Sequence, residues 1–559
     1  MSAILFVCCF SFLAARAAPT DAGSILRQIE RSLPAPQLPQ VGPSPVEADV
    51  IMPVGKGEKI TVKGFVFFGN TVIADAELEA VLRPYLGRPL SFEELKNAAA
   101  QVTLLYRDRG YLAAAGIPKQ DVTDGVVMIE VREGWFGSVR FEGAADGRLR
   151  PGVLEAYVQA ACERGAPLNL YDLDRALLLI NDLSGASVQG AITKGQAKGQ
   201  SDVLLVVAPS QAASGTLMLD NSGARSTGSA RILGGFSWNS PLGKGDQHGL
   251  DFLKTEGSDY WRLSTQLPVG HEGFKLSARV SRLDYDLVAD EFVSAQIHGS
   301  STTFSLEGYL PLLRSRSFNL FASLGGDFKA FRNFGNGAAT SDYHSRLVTL
   351  GLKGNRFDQW FGGGTTAFGL DLVRGSLDLD GSPNLTADSS GPRAAGEFTK
   401  AIAQCSRTQT LFGSTSLVAS AEGQLAMDRN LDSSEKFFVG GAGSVRAYPA
   451  SEGGGDSGYL GSIEVRHQFA EAFTASVFVD HGRVFVNKNP GFSGASPLND
   501  LSYDGFGFGL AWAGPRSSRF SLSWARRIGA NPNPRSGTGA DQDGSSVLNR
   551  FWGSASFHF

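Results

Sequence analysis

From about Ser210 onward the chain alternates apolar and polar side chains with a period of two, and no apolar run there is long enough for a membrane-spanning helix. Phe274, Leu276, Ala278 and Val280 alternate with Lys275, Ser277, Arg279 and Ser281. Phe520, Leu522 and Trp524 alternate with Arg519, Ser521 and Ser523. Successive side chains of a strand point to opposite faces, so each segment folds as a strand with one apolar and one polar face. A transmembrane barrel uses such strands lipid-out and lumen-in, and a soluble β-sandwich uses them core-in and solvent-out. Composition suits the barrel: 69 Gly and 37 Phe stand beside 5 Met. A mean hydropathy of -0.07 is what alternating strands average to, whereas helical spans need ~20 consecutive apolar residues.

The last strand separates the two architectures. Phe551, Gly553, Ala555, Phe557 and Phe559 share one face, and Phe557 with the final Phe559 resembles the signal by which bacterial outer-membrane barrels are recognised for insertion. About 350 residues at ~20 to 22 per strand and connection predict about sixteen antiparallel strands, an even number as such barrels require. Residues 1–17 carry an apolar core too short to span, closed by Ala15-Arg16-Ala17, the pattern of a cleaved signal peptide that lacks the usual basic residue at its start. Cys8 and Cys9 follow too short an apolar stretch for a lipid anchor. Cleavage leaves Cys162 and Cys405, in different predicted domains and without neighbouring ligands, so neither a disulfide nor a metal is expected.

Residues 18–57 open on Ile25, Leu26, Ile29 and Leu33 at helical spacing with Arg27, Glu30 and Arg31 between them, followed by Pro34, Pro36, Pro39, Pro43 and Pro45. This pattern predicts a short amphipathic helix on a semi-extended tether. A docked helix and an unstructured arm both remain open; docked, the helix on its long tether is a candidate reversible plug for the pore of the predicted barrel.

Residues 58–209 repeat themselves once. Gly87-Arg-Pro-Leu90-Ser-Phe-Glu-Glu-Leu95 matches Gly165-Ala-Pro-Leu168-Asn-Leu-Tyr-Asp-Leu173 in the spacing of Gly, Pro and both leucines. Short strands ending at Gly69 and Gly143 precede the two copies, and alternating strands after Asp124 and Asp202 close them. Ser91 with Glu94 predicts a capping box opening a helix through Leu95, Ala98, Val102 and Leu105. Each unit reads β-α-α-β-β, over residues 58–134 and 135–209, and resembles the POTRA domains on the periplasmic side of outer-membrane transporters.

The barrel opens with Asp220-Asn221-Ser-Gly223-Ala-Arg-Ser-Thr227-Gly228-Ser-Ala-Arg231, then Asn239-Ser-Pro241-Leu-Gly243-Lys-Gly245-Asp246. This resembles the D-N-x-G-x-x-x-T-G-x-x-R and N-P-x-G-x-G-D hairpin of two-partner secretion transporters, the TpsB family of haemolysin activation and secretion proteins of ShlB, FhaC and HecB type. Ser240 stands directly after Asn239, where the family usually has proline, and Pro241 follows one place later.

A second resemblance lies at Val445-Arg446-Ala447-Tyr448, similar to the V-R-G-[FY] tip of a loop that in this family folds back into the pore; it places such a loop around 440–458. Ala447 replaces the usual glycine, which would be strained if the tip needs a positive φ. Phe478-Val-Asp480-His-Gly482 resembles the family's F-x-D-x-G motif, whose aspartate pairs with the loop arginine. Periodicity alone turns Phe478 and Asp480 to the lumen, because Phe473, Ala475, Val477 and Val479 occupy the other face. The same count on the preceding strand makes Glu464 a possible second carboxylate. Arg446 and Asp480 then form either a releasable latch or a static brace.

The charge balance of -4 offers no basic stripe for nucleic acid. G-x-S-x-G, H-E-x-x-H and CxxC are missing, the 7 His are scattered, and the glycines at 440–443 precede no Lys-Ser/Thr. Neither catalysis nor a cofactor is expected. The resemblance implies export of a large exoprotein of adhesin, haemolysin or haem-binding type, recognised in the periplasm and passed through the outer-membrane barrel without ATP. It also implies barrel-assembly machinery as a partner during biogenesis. Competing readings are a barrel-assembly insertase, which generally carries more POTRA units, and a passive porin or surface receptor, which leaves the POTRA domains without work.

Overall fold

The computed structural model describes residues 20–33, 59–143, 148–450, 452–535 and 538–559. The signal peptide and the proline-rich tether lie outside the described residues. The amphipathic segment is helix α1 (Ala22–Ser32). Its start is a reciprocal capping box: Ser24 N–H donates to Asp21 Oδ1 (2.9 Å) and Asp21 N–H donates to Ser24 Oγ (3.1 Å). It stops at Leu33, which precedes Pro34 and is extended, as a residue before proline tends to be.

The first repeat folds as β1 (Lys59–Thr61), β2 (Gly64–Phe68), α2 (Asp75–Leu82), β3 (Pro89–Ser91), α3 (Phe92–Asp108), β4 (Ala113–Gly116) and β5 (Val126–Glu133). The second is β6 (Trp135–Gly143), α4 (Pro151–Ala161), α5 (Leu170–Asn181), β7 (Val188–Lys194) and β8 (Gln200–Val207). Their sheets share one topology, β2-β5-β4 and β6-β8-β7, with the first pair parallel and the second antiparallel. The first unit adds a two-stranded ribbon, β1 with β3. Gly87 and Gly165, equivalent in the repeated turn, both take positive φ (70° and 83°) with open space around them, so it is backbone conformation that selects glycine there. Leu90 and Leu168, three residues on, are buried in the two cores. The Ser91–Glu94 capping box forms at the start of α3.

The remaining strands are β9 (Ala213–Asp220), β10 (Arg231–Asn239), β11 (Gln247–Lys254), β12 (Ser258–Pro268), β13 (Lys275–Asp286), β14 (His298–Arg314), β15 (Phe318–Gly335), β16 (Ala338–Asp358), β17 (Gly364–Asp378), β18 (Gly396–Phe412), β19 (Thr415–Ala426), β22 (Ser457–Ala470), β23 (Phe473–Phe485), β24 (Asp500–Ala513), β25 (Ser518–Ile528) and β26 (Asn549–His558). Between β19 and β22, β20 (Phe437–Phe438) and β21 (Gly454–Gly455) form a short ribbon. The other sixteen close into an antiparallel barrel in which β26 pairs with β9. Alternation in the sequence becomes alternation in space: on β16, Val348, Leu350 and Leu352 are exposed on the outer face while Ser345 and Leu347 are buried inward.

The second domain is fastened to the near rim of the barrel. Arg314, at the end of β14, donates from Nε and Nη2 to the Asp182 carboxylate just after α5 (2.7 and 2.9 Å), and its Nη1 donates to Asn319 Oδ1 (2.9 Å). The 240–246 turn adds backbone bonds, from Arg150 N–H to Gly243 O (3.0 Å) and from Ser184 N–H to Gly245 O (3.3 Å). Removing one partner of a buried pair strands the other. Arg314→Ala is therefore expected to weaken this joint by about 3 kcal/mol and to broaden spin-label distances between α4 and β17. Unchanged widths would place the fastening elsewhere.

Candidate functional site

The loop between β19 and β22 runs over 427–456, beginning earlier than its glycine-rich motif suggests, because β19 ends at Ala426. It folds back into the barrel, where Val439, Val445, Ala447 and Tyr448 are fully buried against Leu460, Phe478, Val484, Leu501 and Tyr503. At its tip Arg446 donates from Nε and Nη2 to the two oxygens of Asp480 (2.9 and 2.8 Å), and its backbone N–H also donates to Asp480 Oδ2 (3.1 Å). Nη1 donates to Glu464 Oε2 (2.8 Å) and Nη2 to Ser462 Oγ (3.1 Å), while Ser462 Oγ donates to Asp480 Oδ1 (2.8 Å). The guanidinium carbon lies 3.2 Å from the centre of the Phe478 ring. Trp552 Nε1 on β26 donates to Arg446 O (2.8 Å).

Each residue of the wall motif has a part in this cradle. Phe478 supplies an aromatic face to the cation, Asp480 accepts the planar fork, and Gly482 leaves room, since a β-carbon there would lie 2.9 Å from Val445 Cγ2. On β24, a β-carbon at Gly505 would lie 2.6 Å from that of Ala447. Ala447 does not take a positive φ, so the strain considered for alanine at this position does not arise. The Tyr448 ring stands edge-on to Tyr503 (4.9 Å) and lies beneath the Arg527 guanidinium (4.4 Å). Asp480 is only 1 % exposed and Arg446 15 %. At ~4 Å and an effective dielectric of about 20 such an attraction is worth roughly 4 kcal/mol before desolvation is subtracted.

Sequence reasoning did not find what holds the loop's base. Helix α1 lies inside the barrel with Ala22, Ile25, Leu26 and Ile29 against lumen-facing Leu253, Leu283, Tyr285 and Phe331. At its N-terminus Ala22 N–H donates to Asn333 Oδ1 (2.9 Å), and Ser433 Oγ of the loop donates to Asp21 Oδ2 (2.7 Å). At its other end Arg31 donates from Nη1 to Phe438 O (2.5 Å) and from Nη2 to Glu422 Oε2 (3.0 Å). Beside it Glu435 of the loop accepts from Lys329 (2.9 Å) and Lys400 (2.8 Å), all three deeply buried. Burial opposes the Glu435 charge, and the two ammonium groups outweigh it, holding the carboxyl well below its ordinary range.

The first-hairpin residues occupy other places. Asp220 accepts two hydrogen bonds from Arg231 (2.8 and 3.1 Å) across the start of the barrel. Asn221 acts as a side-chain substitute for ladder bonds at the β9–β26 seam: its Nδ2 donates to Phe551 O (2.9 Å) and its Oδ1 accepts from Gly553 N–H (2.8 Å). Gly223 allows the carbonyl of Gly228 to come close, and Thr227 O accepts from Gly257 N–H (2.8 Å) and Thr255 Oγ1 (2.5 Å). Asp246, wholly buried at the opposite rim, accepts from Leu242 N–H (3.2 Å) and Lys244 N–H (3.3 Å) in the turn that meets the second domain. In that turn Ser240 has φ of 48°; counted back from Gly243, Gly245 and Asp246, Pro241 holds the proline place of N-P-x-G-x-G-D and Ser240 the asparagine place, and asparagine is among the non-glycine residues that most readily take a positive φ. Phe557 lies on the last strand and Phe559 just past its end, where Phe559 and Gly215 exchange backbone bonds (2.7 and 3.0 Å).

The sequence profile described as haemolysin secretion/activation protein ShlB/FhaC/HecB matches residues 199–502, and that of the ShlB-type POTRA domain matches residues 60–134. The heme/hemopexin transporter protein HuxB of Haemophilus influenzae is 24 % identical over 478 residues, 83 % of this chain and 82 % of its own. The outer membrane transporter CdiB of Escherichia coli O6:K15:H31 is 26 % identical over 482 residues, 82 % of this chain and 78 % of its own. Among solved structures, CdiB from Escherichia coli has the same fold with a TM-score of 0.72, at 22 % identity over 91 % of this chain and 93 % of that one. CdiB from Acinetobacter baumannii gives 0.66 at 16 % identity, covering 97 % and 100 %.

Two buried carboxyls meet where α1 contacts the loop. Asp432, which accepts from Tyr343 and Ser434, is pushed up to about 6 by burial and by the facing Asp21; Asp21 is raised as well, chiefly by burial. Raised carboxyls favour the docked form when protonated. This stabilisation is complete below the ordinary Asp value of 3.8 and is lost as pH rises through about 6. Conductance of the full chain in a planar bilayer is expected to increase from about pH 5 to about pH 7.5, with a flatter response in Asp432→Asn. An equal slope in both proteins would contradict this.

Proposed function

The chain belongs to the ShlB/FhaC/HecB family of haemolysin secretion/activation proteins, and from that premise we propose how its parts export an exoprotein. It is an outer-membrane transporter of two-partner secretion, with its POTRA region in the periplasm. The near rim of the barrel, next to the two repeated domains, is then the periplasmic rim and the far rim is extracellular.

We assign residues 58–134 and 135–209 as two POTRA domains that receive the unfolded exoprotein. Among the described residues the sheets keep open edges at β2 and β4 in one and at β7 in the other, while the start of β6 is bridged by the turn at 165–167, and an open edge pairs with an extended chain. On the first sheet Val66, Phe68, Val126 and Met128 are all exposed, and parallel pairing sets Val66 beside Met128. An extended segment added at β2 thus finds main-chain partners and an apolar strip together.

The pore is occupied by α1 and by the loop, so both must yield for a polypeptide to pass. Arg446, with Val445 and Tyr448 beside it, is assigned as the latch of that loop on Asp480, Glu464 and Phe478. The observation that carries this reading is one arginine making charge-assisted bonds to two carboxylates inside a closed sixteen-stranded barrel. Such a contact is strong enough to set a resting position and, being side-chain only on the wall, can be broken without unpairing a strand. Direction comes from folding outside the cell. The cargo is a large exoprotein of adhesin, haemolysin or haem-binding type; HuxB is described as a heme/hemopexin transporter and CdiB as an outer membrane transporter.

Export of the cognate exoprotein tests the assignment. At matched barrel levels Arg446→Ala is expected to lower export about tenfold or more, with Arg446→Lys in between because it keeps the charge and loses the fork. Export at the wild-type rate by both variants would remove Arg446 from the transport cycle.

A further inference from the structure

We propose that the outer face of the barrel carries a site for one phosphorylated, acylated lipid of the outer leaflet, with an acyl chain in a groove across β12–β16 and the phosphate on Arg346. The groove has a volume of about 740 Å³ and a lining that is almost wholly apolar. Its floor is small, with Ala278 and Gly326 on either side of Leu306 in the paired strands, and its walls are Leu263, Phe304 and Phe328. One row of paired positions crosses the whole groove, Leu263 to Val280 to Phe304 to Phe328, and ends at Arg346. Leu306 rises between Ala278 and Gly326, so the two small residues leave a hollow on each side of it, beside the row of Leu263, Phe304 and Phe328, that hydrocarbon can fill.

Depth identifies the leaflet. On the outer face of β16, Val348, Leu350, Leu352 and Gly354 lie between Arg346 and Arg356. Ten residues at ~3.3 Å, tilted about 40°, span ~25 Å, the height of the apolar band of such a barrel. Arg356 is at the periplasmic end, over the Trp360 ring, so Arg346 is at the level of the outer-leaflet headgroups.

Charge identifies the ligand. The neighbouring outward cations are already neutralised: Lys254 by Asp259 (2.5 Å), Arg282 by Asp284 (2.6 Å), Arg332 by Asp342 (3.2 Å), and Arg374 by Glu397. Arg346 is exposed and, among the described residues, has neither a carboxylate within ion-pair distance nor a hydrogen-bond partner. A bare guanidinium at the edge of hydrocarbon is unfavourable, and its fork matches a phosphate. Groove and cation together select a lipid that is both acylated and phosphorylated.

The inference rests on the outer-membrane placement and is independent of export. Its test is native mass spectrometry of the full chain in non-ionic detergent with lipid A as the probe, scoring only folded barrel as judged by heat-modifiable electrophoretic mobility. One retained lipid A is expected on the wild type. Arg346→Glu is expected to lower its occupancy about tenfold. Gly326→Leu is expected to lower it as well while keeping Arg346; a β-carbon at Gly326 has only Leu347 O near it, at 3.8 Å, so the fold can accept the change. Excess inorganic phosphate should not displace the lipid. Wild-type occupancy in either variant, equal retention of dephosphorylated lipid A, or displacement by phosphate alone would overturn the proposal.

Discussion

The contact of Arg446 with Asp480, Glu464 and Phe478 is what allows a polar loop to lie inside this barrel. A loop brought into a largely filled lumen loses water from its charges, and the loss is offset where the wall returns hydrogen bonds to the charged groups. Asp480 receives the side-chain fork, the backbone N–H of the same residue and Ser462 Oγ, so its lone pairs are occupied without water. The wall is cut to fit: glycines at 482 and 505 admit Val445 and Ala447. Through Trp552 Nε1 the same residue is tied to β26, the strand that closes the barrel on β9. Loop position and seam are thus mechanically adjacent.

The lumen contains two kinds of buried charge. Glu435 between Lys329 and Lys400 is overcompensated and favours the charged state. Asp21 and Asp432 face one another, and burial raises both. Glu452, near the end of the same loop, is pushed up to about 7 by burial and then by Asp541, although Gln542 N–H (2.8 Å) and Asn531 Nδ2 (3.2 Å) donate to it. A scaffold optimised only for stability would not set carboxyls against each other at a helix end. The arrangement suits parts that leave: the tip is held by complementary charge, and the plug-like helix by a contact whose strength follows proton concentration.

Much of this architecture was legible because strand periodicity is local. Counting by twos turned Phe478, Asp480 and Glu464 inward, and the repeated Gly-x-Pro-Leu turn marked two βααββ units, the sheets of which share one topology. The ribbon of β1 with β3 was missed because three-residue strands carry no periodic signal. The partners that seat α1 were not legible either. Its amphipathic pattern required an apolar surface somewhere, but Arg31 meets Glu422 and Phe438 at sequence separations of 391 and 407. Barrel closure creates those encounters, and no local window contains them. Lys329 and Lys400 could be counted as inward-facing, yet their partner Glu435 is 106 and 35 residues away, on a loop whose path only the closed barrel defines.

For Arg446 to act as a latch, the tip of the loop must leave the wall during transport. Val445 and Gly482 are close enough for a disulfide, with Val445 Cγ2 lying 2.9 Å from where a β-carbon at Gly482 would be. In a Val445→Cys, Gly482→Cys protein, export of the exoprotein should stop when the pair is oxidised and return on reduction. Full export with the bond verified as formed would contradict the account and leave Arg446 as a fixed brace.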